Sequence, residues 1–175
     1  MGDHTSELTF GETGQQEFPF VQSKPAAIIG LMGRRGSGKD SIAKAAMKLD
    51  SSAVRLAFGD AVKHEVAEAI GHSHVWVEEH KEQLRPLIQA WGTEWRRNLS
   101  DPTHWITRLD QQLGMVDDDA IVFITDVRFQ NEVDYIHSRG GVVVQVVRDT
   151  DGQALDPCDL HSSEMNTDDI NPDAR

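Results

Sequence analysis

The stretch from Ala26 to Ser41, AAIIGLMGRRGSGKDS, constrains the fold more than any other part of the chain. An apolar run of strand length enters a loop carrying Gly33, Gly36 and Gly38, and a helical pattern follows Lys39 at once. Gly33 and Gly38-Lys39 fit the phosphate-binding spacing G-x-x-x-x-G-K-[S/T], with Asp40 where Ser or Thr is usual. Glycines let backbone N–H groups converge on an anion. A helix beginning near Gly38 adds the positive end of its dipole, and Lys39 adds a point charge within reach of a β- or γ-phosphate. A strand, this loop and a helix in that order imply an α/β domain built on a mainly parallel sheet.

The charge distribution narrows the class of ligand. Of the formal charge of −12, residues 1–23 hold four acids and residues 149–174 eight, with no Lys or Arg in either stretch. Residues 24–148 hold 16 basic and 17 acidic side chains. Non-specific nucleic-acid binding needs a basic excess, so local basic clusters here suit a small anionic ligand and no nucleic acid is expected. The single cysteine, Cys158, excludes an intramolecular disulfide framework. No apolar run approaches the roughly 20 residues that span a bilayer, and no signal-peptide pattern opens the chain. One domain, no membrane partner and a cytoplasmic location are therefore expected.

Taken in order, residues 1–24 lack periodicity and read as a mobile tail. Strand one runs from about Ala26 to Met32, and Ile42, Ala45, Ala46 and Leu49 mark the inner face of the helix after the loop. Val54 to Phe58 reads as a second strand. Asp60 is placed to cap a helix with Val62, Val66, Ala69 and Ile70 inward and Gly71 at its end. Lys63 lies in its first turn, near the strand ends where open α/β sheets bind ligands. From Glu79 to Asn98, Leu84, Ile88, Trp91 and Trp95 recur at helical spacing, with Pro86 near the start and Trp91 and Trp95 facing the core. Arg85, Arg96 and Arg97 form a basic cluster on that segment. Asp101-Pro102 opens a helix with Trp105, Ile106, Leu109 and Leu113 inward. Ala120 to Thr125 is a buried parallel strand ending in Asp126, the position of a magnesium-partner carboxylate downstream of a phosphate loop. A helix from Asn131 to Arg139 stops at Gly140-Gly141, and Val142 to Val147 forms a strand ending at Arg148. The acidic segment 149–175 has no clear periodicity.

Five blocks together resemble the phage deoxynucleoside monophosphate kinases. They are Gly33 to Ser41, Phe58-Gly59-Asp60-Ala61-Val62-Lys63, Gln89 to Arg97, Thr125-Asp126-Val127-Arg128-Phe129-Gln130-Asn131-Glu132 and His161-Ser162-Ser163-Glu164, kept in order across roughly residues 26–164. The Asp after the loop lysine is usual in that family and in the related phosphomevalonate kinases. The tail is longer than the family pattern, and the chain ends at Arg175 where similar proteins continue with a further strand and a closing helix.

The resemblance implies a P-loop NTPase-type three-layer α/β sandwich, mostly parallel, spanning 25–175 with a lid-like segment at about 148–165. It implies transfer of the γ-phosphoryl of ATP to a deoxynucleoside 5′-monophosphate with Mg2+, in the host cytoplasm if the chain is phage-encoded. ATP would lie on Gly33, Arg35, Gly36, Ser37, Gly38, Lys39, Asp40, Ser41 and Arg148. The acceptor would lie on Asp60, Lys63, Trp91, Glu94, Arg96, Arg97 and Arg128. Lys39, Arg97 and Arg128 would act in catalysis, and Asp126 and Asp40 would stand near the metal. A kinase of another phosphorylated small molecule such as phosphomevalonate, and a nucleotide-binding module without turnover, stay open as alternatives. So does the oligomeric state, a homodimer included.

Overall fold

The computed structural model describes residues 24–148 and 170–174. The expected tail up to residue 23, the lid-like segment beyond Arg148 and the His161–Glu164 motif lie outside the described residues. Four strands form one all-parallel sheet in the order β2-β3-β1-β4, with β1 Ala27–Met32, β2 Ala53–Leu56, β3 Ile121–Val127 and β4 Val142–Gln145. The two continuous apolar runs occupy the centre, where a strand is covered on both faces. Ala27 pairs with Ile121 on one side of β1, and Ile29 with Val142 on the other. The edge beyond β4 is occupied by the chain's own end. Ala174 bridges Val144 in parallel, Asp173 N–H donates to the Val143 carbonyl, and Ile170 is buried in the core.

Six α-helices and one π-helix connect the described strands: α1 Lys39–Leu49, α2 Phe58–Ile70, α3 His74–Glu79, α4 Lys81–Gln89, the π-helix Ala90–Ser100, α5 His104–Leu113 and α6 Gln130–Ser138. In α5 the expected inward residues Trp105, Ile106, Leu109 and Leu113 are all at most 2% exposed. Each such side chain contributes about 1.5–3 kcal/mol by leaving water, which makes α5 the main anchor of its side of the core.

Several expectations shift. In α1 the covered residue is Ala43, whereas Ile42 is 42% and Leu49 89% exposed. The helix packs on β2 and β3, with Ala43 buried and Ala46, one of the expected inward residues, partly covered. Strand β2 ends at Leu56, and Phe58 already opens α2. Ala57 is therefore the capping position, and Asp60 sits inside the first turn. Gly71 does close that helix in the left-handed conformation, φ 71°. The helix expected over 79–98 runs without a break through α4 and the π-helix, Gln89 and Ala90 keeping helical angles at their junction. Chain direction changes at His80, between α3 and α4, and Pro86 falls in the interior of α4, where it cannot donate to the carbonyl one turn back. Beyond Ala90 the segment widens into a π-helix, whose 5-residue step is seen at its end as Asp101 N–H donating to the Arg96 carbonyl at 2.7 Å. Trp95 is 57% exposed there instead of facing the core. No helix of the described residues is long and apolar enough to cross a membrane.

Gly141 enters β4 where the backbone of β1 crosses closely: a Cβ there would lie 2.7 Å from the Ile28 carbonyl oxygen and 2.8 Å from Ile136 Cγ2. Gly141→Ala should therefore cost about 1–3 kcal/mol through overpacking. Urea unfolding should show a lower midpoint with an unchanged slope. An unshifted midpoint would mean that α6 and β4 separate without cost.

Candidate active site

All four strands deliver their carboxyl ends to one edge, and the chemically active residues gather there. The loop after β1 turns through Gly33, Gly36 and Gly38 at φ 136°, 75° and 108°, a region that disfavours any side chain. At Gly33 space forbids one as well, since a Cβ would collide with the Val146 carbonyl. Lys39, the first residue of α1, folds its ammonium back into the loop, donating to the carbonyls of Gly33 at 2.6 Å and Arg34 at 2.7 Å, with Ser37 Oγ at 3.4 Å. Arg148, after β4, reaches the same loop and donates to the Gly36 carbonyl at 3.3 Å. Ser41 is exposed on α1.

Beside the loop lies a cavity of about 260 Å³ between α2, α4, the π-helix, α5 and the turn after β3. Five cationic side chains line it: Lys63, Lys81, Arg85, Arg97 and Arg128. Its apolar surface comes from Phe58, Val62, Ile88, Trp105 and Phe129, and its acids are Asp126 and Glu132. Of the residues expected on an acceptor, Lys63, Arg97 and Arg128 are brought together here. Trp91, Glu94 and Arg96 lie outside the cavity wall, and Asp60 touches it through Lys63. Adjacent residues on a helix do not share a face, which is why Arg97 enters the cavity while Arg96 donates to Glu65 at 2.7 Å on the other side. Glu65 also accepts from Trp91 Nε1 at 3.1 Å and lies 2.6 Å from His104 Nε2. Burial would raise its carboxyl, but the hydrogen bonds from Trp91, His104 and Arg96 hold it below the usual range.

Two carboxylates build the floor, Asp126 half-buried and Glu132 buried. Asp126, near the end of β3, accepts the N–H groups of Phe58 at 2.9 Å and Gly59 at 2.7 Å, fixing the start of α2. Burial pushes its pKa up, against the pull of those N–H groups and of Arg128. Glu132, in the first turn of α6, is ion-paired with Arg97 and accepts the N–H groups of Arg128 at 2.8 Å and Phe129 at 3.2 Å. Its burial pushes the carboxyl up to about 7 although Arg97 opposes the shift. Arg97, 8% exposed, donates further to Asn131 Oδ1 at 3.1 Å and lies 3.8 Å above the Phe129 ring.

Sequence reasoning offered Phe129 as a stacking ring but missed Glu132 as a site residue, although both stand in the Thr125–Glu132 block, and it missed three bridging side chains, Arg55, Glu78 and Glu82, entirely. Arg55, at the end of β2, donates to Asp40 at 3.1 Å and to Asp60 at 2.6 Å. Asp60 pairs in turn with Lys63 at 2.8 Å, Lys63 with Glu78 at 2.7 Å, and Glu78 with Lys81 at 2.6 Å. Glu82 accepts from Arg35 of the loop at 2.9 Å and from Arg85 of the cavity at 2.9 Å. Only an Arg near the end of a strand and one acid on each of α3 and α4 mark these in the sequence, and such residues usually face solvent.

The residues fit a nucleotide with magnesium. Mg2+ is commonly held by one or two carboxylates together with phosphate oxygens and water. Asp126 and the largely exposed Asp40 are hard oxygen donors flanking the loop, and no cluster of three metal-ligating side chains is found among the described residues.

The pH response of Glu132 follows from its burial. A carboxyl with a raised folded pKa holds an extra proton in the native state, so its stabilising share is complete at low pH and is lost as pH rises. Between 4.5 and about 7 the native protein should lose stability relative to Glu132→Gln, which carries no ionisable group. Urea midpoints of the two proteins at about pH 5 and about pH 7.5 check this. A difference that stays flat would return Glu132 to the ordinary carboxylate range.

Comparison with known proteins agrees with this geometry. The family model for phosphomevalonate kinase matches residues 31–141, from within β1 to the turn before β4. A protein of Acanthamoeba polyphaga mimivirus, provisionally named a deoxynucleotide monophosphate kinase, is 31% identical over 161 residues, covering 79% of this chain and 80% of the viral one.

Proposed function

The chain belongs to the phosphomevalonate kinase family, and on that premise we propose that it moves the γ-phosphoryl group of ATP to a deoxynucleoside 5′-monophosphate. The observation that carries this reading is the lining of the cavity. Five cations surround a space that also presents Phe58, Trp105 and Phe129, beside a strand-end carboxylate. Phosphoryl transfer asks for in-line positioning and for positive charge around spreading negative charge, with little covalent chemistry from the protein. Lys39 and the loop N–H groups would hold the donor phosphates, with Arg35 and Arg148 at the rim. Asp126 and Asp40 would hold Mg2+, whose chemistry is to neutralise charge on the donor phosphates. Arg97 and Arg128, with Lys63, would grip the acceptor phosphate. That phosphate is already ionised at neutral pH, so no strong general base is required.

The aromatic lining favours a nucleotide over an aliphatic acceptor, because stacking on a flat ring is worth about 1–3 kcal/mol per base. The name of the viral relative points the same way. The family model favours phosphomevalonate as the second reading. Comparing kcat/KM for deoxynucleotide, ribonucleotide and phosphomevalonate acceptors, with ATP and magnesium held constant, separates them. The deoxynucleotides should be the best substrates. Preference for phosphomevalonate would install the second reading, and no turnover with any acceptor would leave a binding module. In the active protein Lys39→Ala should lower kcat by the equivalent of about 3–4 kcal/mol, the usual cost of one preorganised electrostatic contact.

Arg96 and Arg97 offer a sharper comparison. Arg97→Ala should weaken the acceptor by the equivalent of about 1.5–3 kcal/mol, the worth of a charge-assisted hydrogen bond, with ATP affinity nearly unchanged. Arg96→Ala should leave the acceptor within about twofold, a difference below 0.5 kcal/mol. Separate titrations of acceptor and ATP decide it, and equal losses from both variants would move the acceptor site out of the cavity.

A further inference from the structure

Arg55 stands between the two halves of the site and belongs to neither. It lies at the end of β2, with its side chain 29% exposed, and its guanidinium spans two carboxylates from different helices. Nε faces Asp40 of α1 at 3.1 Å, and Nη1 faces Asp60 of α2 at 2.6 Å. Asp60 spends its other oxygen on Lys63, whose ammonium is shared with Glu78 of α3. Signs alternate along this line from the phosphate loop to the cavity wall, and each member has a partner on either side. Lys63 is therefore presented to the cavity under the hold of Asp60, and Asp60 under the hold of Arg55.

We propose that Arg55 is a positioning residue that couples donor binding at the phosphate loop to acceptor binding in the cavity. The inference rests on the phosphotransferase reading above. The sign of the coupling follows from the geometry. When Asp40 turns toward the donor and its metal, Arg55 loses one of its two carboxylates and closes on Asp60. Asp60 then holds Lys63 less strongly, and the ammonium becomes available to the acceptor phosphate. Occupied donor and acceptor sites should thus strengthen each other, and by linkage the effect must be equal in both directions. A planar guanidinium suits this task because its donors are fixed in one fork, whereas an ammonium grips as a point charge. The line alone is spatial adjacency, so the coupling itself has to be measured.

The measurement is calorimetric titration of the best acceptor from the panel above, with and without magnesium and the non-hydrolysable donor β,γ-imido-ATP. In the native protein the donor analogue should tighten the acceptor by about fivefold or more, the lower end of ordinary coupling between sites. In Arg55→Gln that ratio should fall to about one, with thermal unfolding still cooperative. Arg55→Lys should restore part of it. A ratio in Arg55→Gln equal to the native one would reduce Arg55 to a structural ion pair and overturn the proposal. So would a native protein that binds both ligands with no synergy. A native protein that binds neither ligand would instead sink the phosphotransferase reading, and the first titration shows that before any variant is made.

Discussion

Two N–H groups at the start of α2 share one acceptor, the carboxylate of Asp126, and most of the site depends on that bond pair. The first N–H groups of a helix have no partner within it. Here the sheet supplies one from the end of β3, so α2 cannot slide along the strand ends without taking both N–H groups off the half-buried Asp126 carboxylate. Each hydrogen bond to a charged group contributes about 1.5–3 kcal/mol. Everything α2 contributes is thereby set in place: Phe58 and Val62 on the apolar wall, Lys63 among the cations, and Asp60 against Arg55.

The same logic of compensation runs through the cations. A cluster of Lys63, Lys81, Arg85, Arg97 and Arg128 would repel itself if it were unscreened. Lys63 and Lys81 share Glu78, Arg85 shares Glu82 with Arg35 of the loop, and Arg97 is paired with Glu132. The acids hold the cations in place, and on the proposed reading an incoming phosphate would compete with them for the same donors. Such exchange lowers net affinity but confines strong binding to ligands that meet several cations at once. It also explains a body of nearly balanced charge around an anion-binding cavity. Mutating one acid should not be read as simple gain of attraction, because its cation loses its orientation too.

The sheet was legible because its signals are local. Apolar runs marked β1, β3 and β4, and the glycine spacing marked the loop, since only certain residues tolerate those backbone angles. The α5 stripe was legible for the same reason. Features decided by distant partners were not. Ile42 and Leu49 have the spacing of an inner face, yet Ala43 is the residue of α1 that is buried. Trp91 and Trp95 have helical spacing, yet the π-helix and the Glu65 cluster leave Trp95 with its ring mostly in water, stacked 5.7 Å from Trp91. Arg96 and Arg97 are neighbours in sequence and reach opposite carboxylates. Arg55 could not be singled out, because its significance lies in two acids 15 positions before it and five after.

What distinguishes one phosphorylated acceptor from another must come from the uncharged wall, since any phosphate satisfies the cations. Trp105 donates its ring N–H to the Gly92 carbonyl at 2.8 Å, so the indole is spent on the π-helix and offers the cavity only its apolar surface. The guanidinium of Arg97 already covers one face of Phe129. Phe58 and Trp105 are nearly covered, so Phe129 is the ring with open area, and the wall offers little hydrogen-bonding pattern. A wall of this kind selects by shape, separating a planar base from a flexible aliphatic chain more strongly than one base from another. Finer choice would fall to the polar side chains Gln89 and Thr93, which line the same cavity from the end of α4 and the π-helix. Thr93 and Arg97 both enter the cavity from the π-helix, so on the proposed reading one backbone segment would tie recognition of the acceptor's body to recognition of its phosphate.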